Sequence, residues 1–453
     1  NNRKTGQPII GAVVYSGDLE RGTVTNTYGY YSLRIPPGRY ELEFRSVGFD
    51  NTTRKVQLYS DGDLDVALAE KINPLEEVVV TANRDHNVQS LNIGMEKIDL
   101  KTLKIIPTGM GEADVIKSTQ LLPGVQTVGE AAAGFNVRGG STDQNLVLLD
   151  GAPIYNTSHF FGFFSAFNSD MIDDVTLYKS GIPVKYGGRV SSVMDISIRE
   201  GNQKNFKASG GVNPFFFRFL AEGPIIKNKA SFALSSRLTY SDWVLEQFQD
   251  VRLKKSSAGF NDFHLALSSK MNEKNSVYFT AYRSSDDFDL YQSDKVSNSN
   301  LAGSLRWKHT FNPKLFAIFS LTHSDYQYHL ESRYDTVDMK SLDYKISNEI
   351  LKGTFVYYLH PKHKIEAGFS SQYYSLHPGK QKPLSDQSLA ENMELDPENA
   401  LESAVFISDE FTISPKISIS GGIRYSFYQM LGPSSIYKYA QGSPGAFSAI
   451  PDT

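Results

Sequence analysis

FNVRGGSTDQNLVLLDGAPIYN, residues Phe135 to Asn156, decides how this chain is read. Gly139 and Gly140 are able to take positive φ and let the backbone reverse tightly after Arg138. An apolar run from Leu146 to Leu149 then ends in Asp150-Gly151, a strong turn pair. Alone, the stretch reads as a hairpin and nothing more.

Its neighbours add an order of elements. Upstream, GEADVIKSTQLLPGVQ (Gly111 to Gln126) predicts one short helix with Val115, Thr119 and Leu122 on a stripe, stopped by Pro123-Gly124. Downstream, MIDDVTLYKSGIPVKYGGRVSSVMDISIREG (Met171 to Gly201) predicts a strand, then Lys179, then a turn at Gly187-Gly188. A helix, an Arg-Gly turn, an Asp-Gly strand and a Tyr-Gly-Gly turn, in that order, resemble the plug of TonB-dependent outer-membrane receptors.

Composition narrows the remainder. The 453 residues are enough for more than one domain, and a net charge of −4 with 21% charged residues gives no reason to expect a nucleic-acid partner. No cysteine is present, so neither a disulfide framework nor a thiolate metal site is available. No run reaches the roughly 18 apolar residues of a membrane helix. A membrane β-barrel escapes that test, because only alternate residues face lipid, and the 25 Tyr and 28 Phe suit interfacial girdles.

Residues 1–70 contain GQPIIGAVVY and TNTYGYYSLRIPPGRYELEFRSVGF, with a turn at Pro36-Pro37-Gly38. Tyr40, Leu42 and Phe44 alternate with Glu41, Glu43 and Arg45, and Leu64, Val66 and Leu68 alternate likewise, the period of half-buried strands. The segment resembles the carboxypeptidase-regulatory-like β-sandwich of Bacteroidetes outer-membrane receptors. No basic, apolar leader opens the sequence at Asn1, so a mature N-terminus is expected. Residues 71–94 form a linker. Within it Leu75, Glu76, Glu77, Val78, Val79, Val80, Thr81 and Ala82 read either as an edge strand or, by resemblance, as a TonB box, an extended segment that adds a strand to a partner's sheet.

Residues 95–201 are expected to form an α+β plug, and residues 202–453 the first part of an antiparallel transmembrane β-barrel of about ten strands. In the last of these, Ile417, Ile419, Ile423, Tyr425 and Phe427 lie on one face and Lys416, Ser418, Ser420, Arg424 and Ser426 on the other. Tight turns at Asn312-Pro313, His360-Pro361 and Ser414-Pro415 alternate with long polar stretches such as Pro378 to Asn399, as a closed barrel in lipid requires. Plugged transporters have about 22 strands. The sequence is therefore expected to be part of a longer barrel.

Catalytic constellations are missing from the sequence. Gly109 to Asp114 fails the dinucleotide pattern, and no nucleophile elbow or phosphate loop occurs. Asp61, Asp63 and Asp65 mimic a calcium loop, but Val66 and Ile72 occupy the positions that need Gly and Glu. His360 and His363 lack a third ligand, so no metal or other cofactor is expected.

The resemblance implies a transporter, not an enzyme, in the bacterial outer membrane. Its partners would be a TonB-type energy-transducing inner-membrane complex, outer-membrane lipid and lipopolysaccharide, with a surface lipoprotein or other outer-membrane subunits also open. Arg138 matches the plug arginine that the family pairs with barrel glutamates, and Lys179 stands where relatives carry a second arginine. Tyr155, His159, Phe160, Phe161, Phe163 and Phe164 form either an aromatic floor for a ligand or a packing surface against the barrel wall. Active import of a scarce ligand is the favoured reading. A barrel kept as a structural subunit of an outer-membrane assembly or secretion complex is the alternative.

Overall fold

The computed structural model describes residues 1–71 apart from 20, 27 and 61; 94–98; 112–129; 134–432 apart from 336, 361, 415 and 416; and 437–438 and 450–451. The box segment Leu75 to Ala82 lies outside the described residues.

In the N-terminal unit, β1 (Val13–Ser16) pairs with β2 (Arg21–Val24) on one side and β3 (Gly38–Arg45) on the other, and β4 (Thr52–Leu58) completes the sheet in the order β2-β1-β3-β4. Leu42 and Phe44 of β3 are buried while Glu41 and Arg45 are exposed, as the alternation predicts. Val66 and Leu68 complete the core with Ile9, Val14 and Ile35, and Leu68 bridges the backbone of Asn2.

The central α+β unit is a five-stranded sheet in the order β5-β12-β13-β8-β9, built from β5 (Met95–Ile98), β8 (Asn145–Leu149), β9 (Ala152–Pro153), β12 (Ile172–Tyr178) and β13 (Ser192–Ile198). Strand β13 runs parallel to β8; the other pairings are antiparallel. The expected helix is α1 (Val115–Gln120), capped by Asp114, whose side chain accepts from the Lys117 amide. Short strands β6 (Val125–Thr127) and β7 (Phe135–Val137) follow it, and β10 (Ser158–His159) pairs with β11 (Phe164–Ser165). The hairpin at Asp150-Gly151 has φ of 49° and 87°, the positive pair a type I′ turn needs, and Leu149 faces Ala152 across it. Phe167, Met171, Val175, Leu177 and Met194 are fully enclosed, each adding about 1.5–3 kcal/mol by leaving water.

The large sheet is one antiparallel path of eleven strands, one more than expected. They are β14 (Lys207–Val212), β15 (Phe216–Ile226), β16 (Ala230–Thr239), β17 (Ser257–Asn272), β18 (Asn275–Asp289), β19 (Asp294–Asn312), β20 (Leu315–Ser332), β21 (Lys340–His360), β22 (His363–Pro383), β24 (Glu398–Ser414) and β25 (Ile417–Leu431). Two-residue β23 (Met393–Glu394) pairs with β22 off that path. Among the described residues the path does not close. Connections of a few residues join β15–β16, β17–β18, β19–β20, β21–β22 and β24–β25 at one end. Those at the other end are mostly longer; one carries helices α2 (Asp242–Leu245) and α3 (Val251–Lys254).

Alternation along these strands sorts the side chains. In β19, Leu301, Leu305 and Trp307 are 44–46% exposed, whereas Ala302 and Ser304 are buried. Val405 and Ile407 of β24 and Leu321 of β20 extend the exposed apolar belt. The opposite face meets the central unit from nearly every strand, so the sheet curves around it with its apolar face outward, as a lipid-embedded barrel wall requires.

Candidate functional site

The boundary between the central unit and the large sheet holds a series of buried ion pairs. At the long-loop end, Arg237 of β16 is 1% exposed. Its Nε donates to Asp262 Oδ2 at 2.6 Å, Nη1 to Glu112 Oε1 at 2.9 Å, and Nη2 to the Ser165 carbonyl at 2.9 Å. One guanidinium fork thereby joins β16, β17, the approach to α1 and β11. This planar, multidentate grip is what Arg supplies and Lys does not. Burial holds the Glu112 carboxyl above its ordinary range, an effect Arg237 opposes.

His159 extends the cluster. It is wholly buried, with Nδ1 2.9–3.0 Å from both carboxylate oxygens of Asp286 and Nε2 3.5 Å from Asp262, and its ring stacks on Phe260 at 4.2 Å and 10°. Burial pushes the imidazole down, but the two carboxylates outweigh it and its pKa is raised.

Nearer the short-turn end, Asp150 of the hairpin turn meets Arg306 of β19 at 3.2 Å. Burial pushes the Asp150 carboxyl up against that pairing. A third contact is made by the arm after Lys179. There the Val184 and Lys185 carbonyls accept from Arg424 (3.3 Å) and Lys352 (3.0 Å), and Lys185 lies 3.9 Å from Glu366. At Gly187 a Cβ would stand 2.6 Å from Arg424 Nε, so the arm passes the guanidinium without room for a side chain. Gly188 takes φ +78°.

The residues singled out from sequence fall differently. Arg138 sits exposed at the tip of its turn with φ 49°, its amide donating to the Gly124 carbonyl. Among the described residues no carboxylate is within ion-pair distance of it. Lys179 is buried, but it is used inside the central unit, bonding Glu96 at 3.1 Å and the Pro123 carbonyl at 2.9 Å. Gly139 has φ +82° and open space around it, while Gly140 is hemmed in by Ser191. The pairs that span the boundary therefore run both ways: Arg218, Arg237 and Arg306 of the sheet meet Asp170, Glu112 and Asp150, while His159, Lys185 and Arg199 of the central unit meet Asp286, Glu366 and Glu222. One signal was available: Arg237, Asp262, His264 and Arg306 alternate with outward Leu238, Phe263, Leu265 and Leu305, marking charge on an enclosed face.

Of the six aromatic-floor residues, His159 and Phe164 are buried against the wall. Phe164 packs on Phe216 at 5.4 Å and Phe260 at 5.5 Å, and Phe160, at φ 48°, meets Phe260 edge-on at 5.1 Å. The packing alternative describes these three. Phe163 is 42% exposed, and Tyr155 is half-buried with its hydroxyl accepting from Asn348 at 2.7 Å. The Phe161 side chain lies outside what the structure describes.

The CarboxypepD_reg-like domain model matches residues 1–80, and the TonB-dependent Receptor Plug Domain model matches residues 108–192. The chain carries the plug of a TonB-dependent receptor. Solved structures of similar fold include a mutant of the ferric enterobactin receptor of Pseudomonas aeruginosa, at 13% identity and TM-score 0.57 over 76% of this chain and 58% of that one. The copper transporter OprC follows at 9% and 0.58 over 79% and 59%, and the ferric citrate transporter FecA at 15% and 0.57 over 77% and 57%. No curated protein matches the sequence. The chain spans a little under three fifths of the length of these structures. TonB-dependent receptors are outer-membrane β-barrel proteins, and the outer membrane is the location of this one.

Proposed function

We propose that this chain is the plug-bearing part of a receptor that imports a scarce ligand across the outer membrane, driven by a TonB-type energy-transducing partner that grips Leu75 to Ala82. The observation that carries the reading is the plug's mode of attachment. Its apolar core touches the wall at Leu220, Ala233, Ala266, Tyr282 and Ala302, and Phe164 packs on Phe216 and Phe260, while the rest of the boundary carries Arg237, Asp262, Asp286 and Arg306, groups that water can resolvate when the plug is pulled. A permanent structural stopper would gain more from an apolar boundary.

Among the described plug aromatics of this set, Tyr155 and Phe163, near the long-loop end, are left to face a ligand. Beside Tyr155 stand Tyr326, Asn348 and Gln372, a surface of aromatic faces and hydrogen-bonding groups suited to a polar, ring-bearing solute. Residues 1–70, 71–94, 95–201 and 202–453 would serve as periplasmic sandwich, tether, plug and barrel wall. The test compares cells lacking the whole protein with cells lacking only Glu76 to Ala82, at matched outer-membrane levels. Equal growth defects are expected; a defect confined to the full deletion would instead make the protein a scaffold.

A further inference from the structure

The N-terminal sandwich touches the barrel at its short-turn end. Its contact is a three-residue tip, Tyr28-Gly29-Tyr30, whose shape is set locally: the Asn26 side chain accepts from the amides of Tyr28 (2.9 Å) and Tyr30 (3.1 Å). Gly29 lies at φ +66°, where a Cβ would be 2.8 Å from Cβ of Pro8, so only glycine fits between the two tyrosines. The Tyr30 hydroxyl donates to the Pro313 carbonyl in the β19–β20 turn at 2.5 Å, and its ring packs against Phe316 (5.3 Å) and Tyr358 (6.1 Å). Burial pushes this phenol up to about 12, keeping it a donor. Lys308 of β19 lies over both rings, 5.3 Å from Tyr28 and 5.5 Å from Tyr30.

A second contact lies outside the tip. The Gln203 amide donates to the Thr5 carbonyl at 2.9 Å and Lys204 Nζ to the Arg3 carbonyl at 2.6 Å, on the connection between plug and wall. Lys97 of the plug reaches the Ile10 carbonyl at 3.2 Å. The sandwich thus spans three structures at once: the wall turns, the plug, and the joint between them.

We infer that the sandwich is an inner cap, seated across the periplasmic end of the plug and wall, which must lift before the exit opens. Lifting is cheap by design: among the described residues the seat consists of a few polar and aromatic contacts, with no continuous apolar interface. Where the tether begins, the Lys71 amide donates to the Gly48 carbonyl, the last backbone tie among the described residues of this unit, which puts it beside the segment that a partner would pull. The gating half of this inference rests on the transport reading; the seating half does not.

These 453 residues contain no cysteine, so an engineered pair meets no native thiol among them. A Cβ at Gly6 would stand 3.3 Å from Cβ of Gln203, close to the separation of a disulfide. In the full-length protein in outer membranes, Gly6→Cys with Gln203→Cys is expected to close spontaneously, and adding Tyr28→Ala and Tyr30→Ala to cut the yield severalfold. Because Gly6 has φ +81°, Arg3→Cys with Lys204→Cys, joined by a short bis-maleimide, is the second pair. Folded protein that links through neither pair overturns the seat. Cells carrying the closed disulfide should then reproduce the defect of the strain lacking Glu76 to Ala82, with relief by a reductant. Closed-disulfide cells that grow normally while the box-deleted strain fails overturn the gate. A box-deleted strain without a defect overturns the transport reading and the gate with it, and the cross-link yield still decides the seat.

Discussion

Arg237 and Glu112 test whether charge seats the plug. Arg237→Met deletes the cation that bonds both Asp262 and Glu112, leaving two carboxylates whose side chains are 0% and 6% exposed. Removing one partner of such a buried set costs about 3–5 kcal/mol, or roughly two to four powers of ten in plug occupancy. Glu112→Gln keeps the shape and an acceptor but loses the charge-assisted bond, about 1.5–3 kcal/mol. Part of the Arg237→Met cost is the stranded Glu112, which Gln relieves, so the double variant should cost less than the sum by about 1.5–3 kcal/mol. Plug release can be read directly: Thr119→Cys, on the fully buried face of α1, supplies the sole thiol, and its labelling is followed against urea in detergent-solubilised protein. Single variants that add within about 0.5 kcal/mol would refute the coupling.

His159 gives a pH dependence of definite sign. Its pKa is raised in the folded protein, so its contribution to plug seating is complete below the unfolded value near 6.5 and is lost as pH rises through the folded value. Thiol-labelling midpoints taken at steps from pH 5 to 9 should fall over that rise, and His159→Gln should flatten the profile; a flat wild-type profile would contradict it. Gly187→Val would drive a side chain into Arg424 and free the arm, so trypsin should cut at Lys185 and Arg189 several times faster than in the parent, whereas unchanged cleavage would mean the arm is held elsewhere. Phe164→Ala should cost about 3–5 kcal/mol by leaving a cavity against Phe216 and Phe260, while exposed Phe163→Ala should cost under about 0.5 kcal/mol, both read by the same urea labelling.

The parts of this molecule that depend on local chemistry were legible in the sequence. Asp150-Gly151 needs two positive φ values whatever surrounds it, Asp114 caps α1 through its own next turn, and Leu42 and Phe44 alternate because strand geometry makes them. The boundary pairs were not legible, because each joins residues more than a hundred positions apart: Glu112 to Arg237, His159 to Asp286, Asp150 to Arg306. Resemblance matches Arg138 to the family's lock arginine, and among the described residues its turn leaves it exposed. Lys179 is drawn inward by Glu96, a partner that periodicity could not reveal because it sits on a short strand after the tether.

Those boundary pairs also explain the wall's composition. Facing the plug, the strands present Ser231, Ala233 and Ser235 in β16, Ala266 and Ser268 in β17, Ala302 and Ser304 in β19, and Thr322 and Ser324 in β20, all buried. Large apolar side chains there would interdigitate with the plug and fix it by tens of contacts, each lost only when the whole interface parts. Outside the aromatic patch of Phe216, Phe260 and Tyr282, small side chains leave a smooth surface on which the attraction is concentrated in a few charged clusters, and a charged cluster has an alternative state that a packed phenyl ring lacks: separated and hydrated. A smooth wall with localised charge holds the plug firmly at rest yet can be released in steps, Asp150 near the pulled end before Glu112 and His159 at the far one. That order can be checked by single-thiol labelling under load: a thiol beside Asp150 should become reactive at lower force than one beside Glu112, and simultaneous exposure would show that the plug leaves as one rigid body.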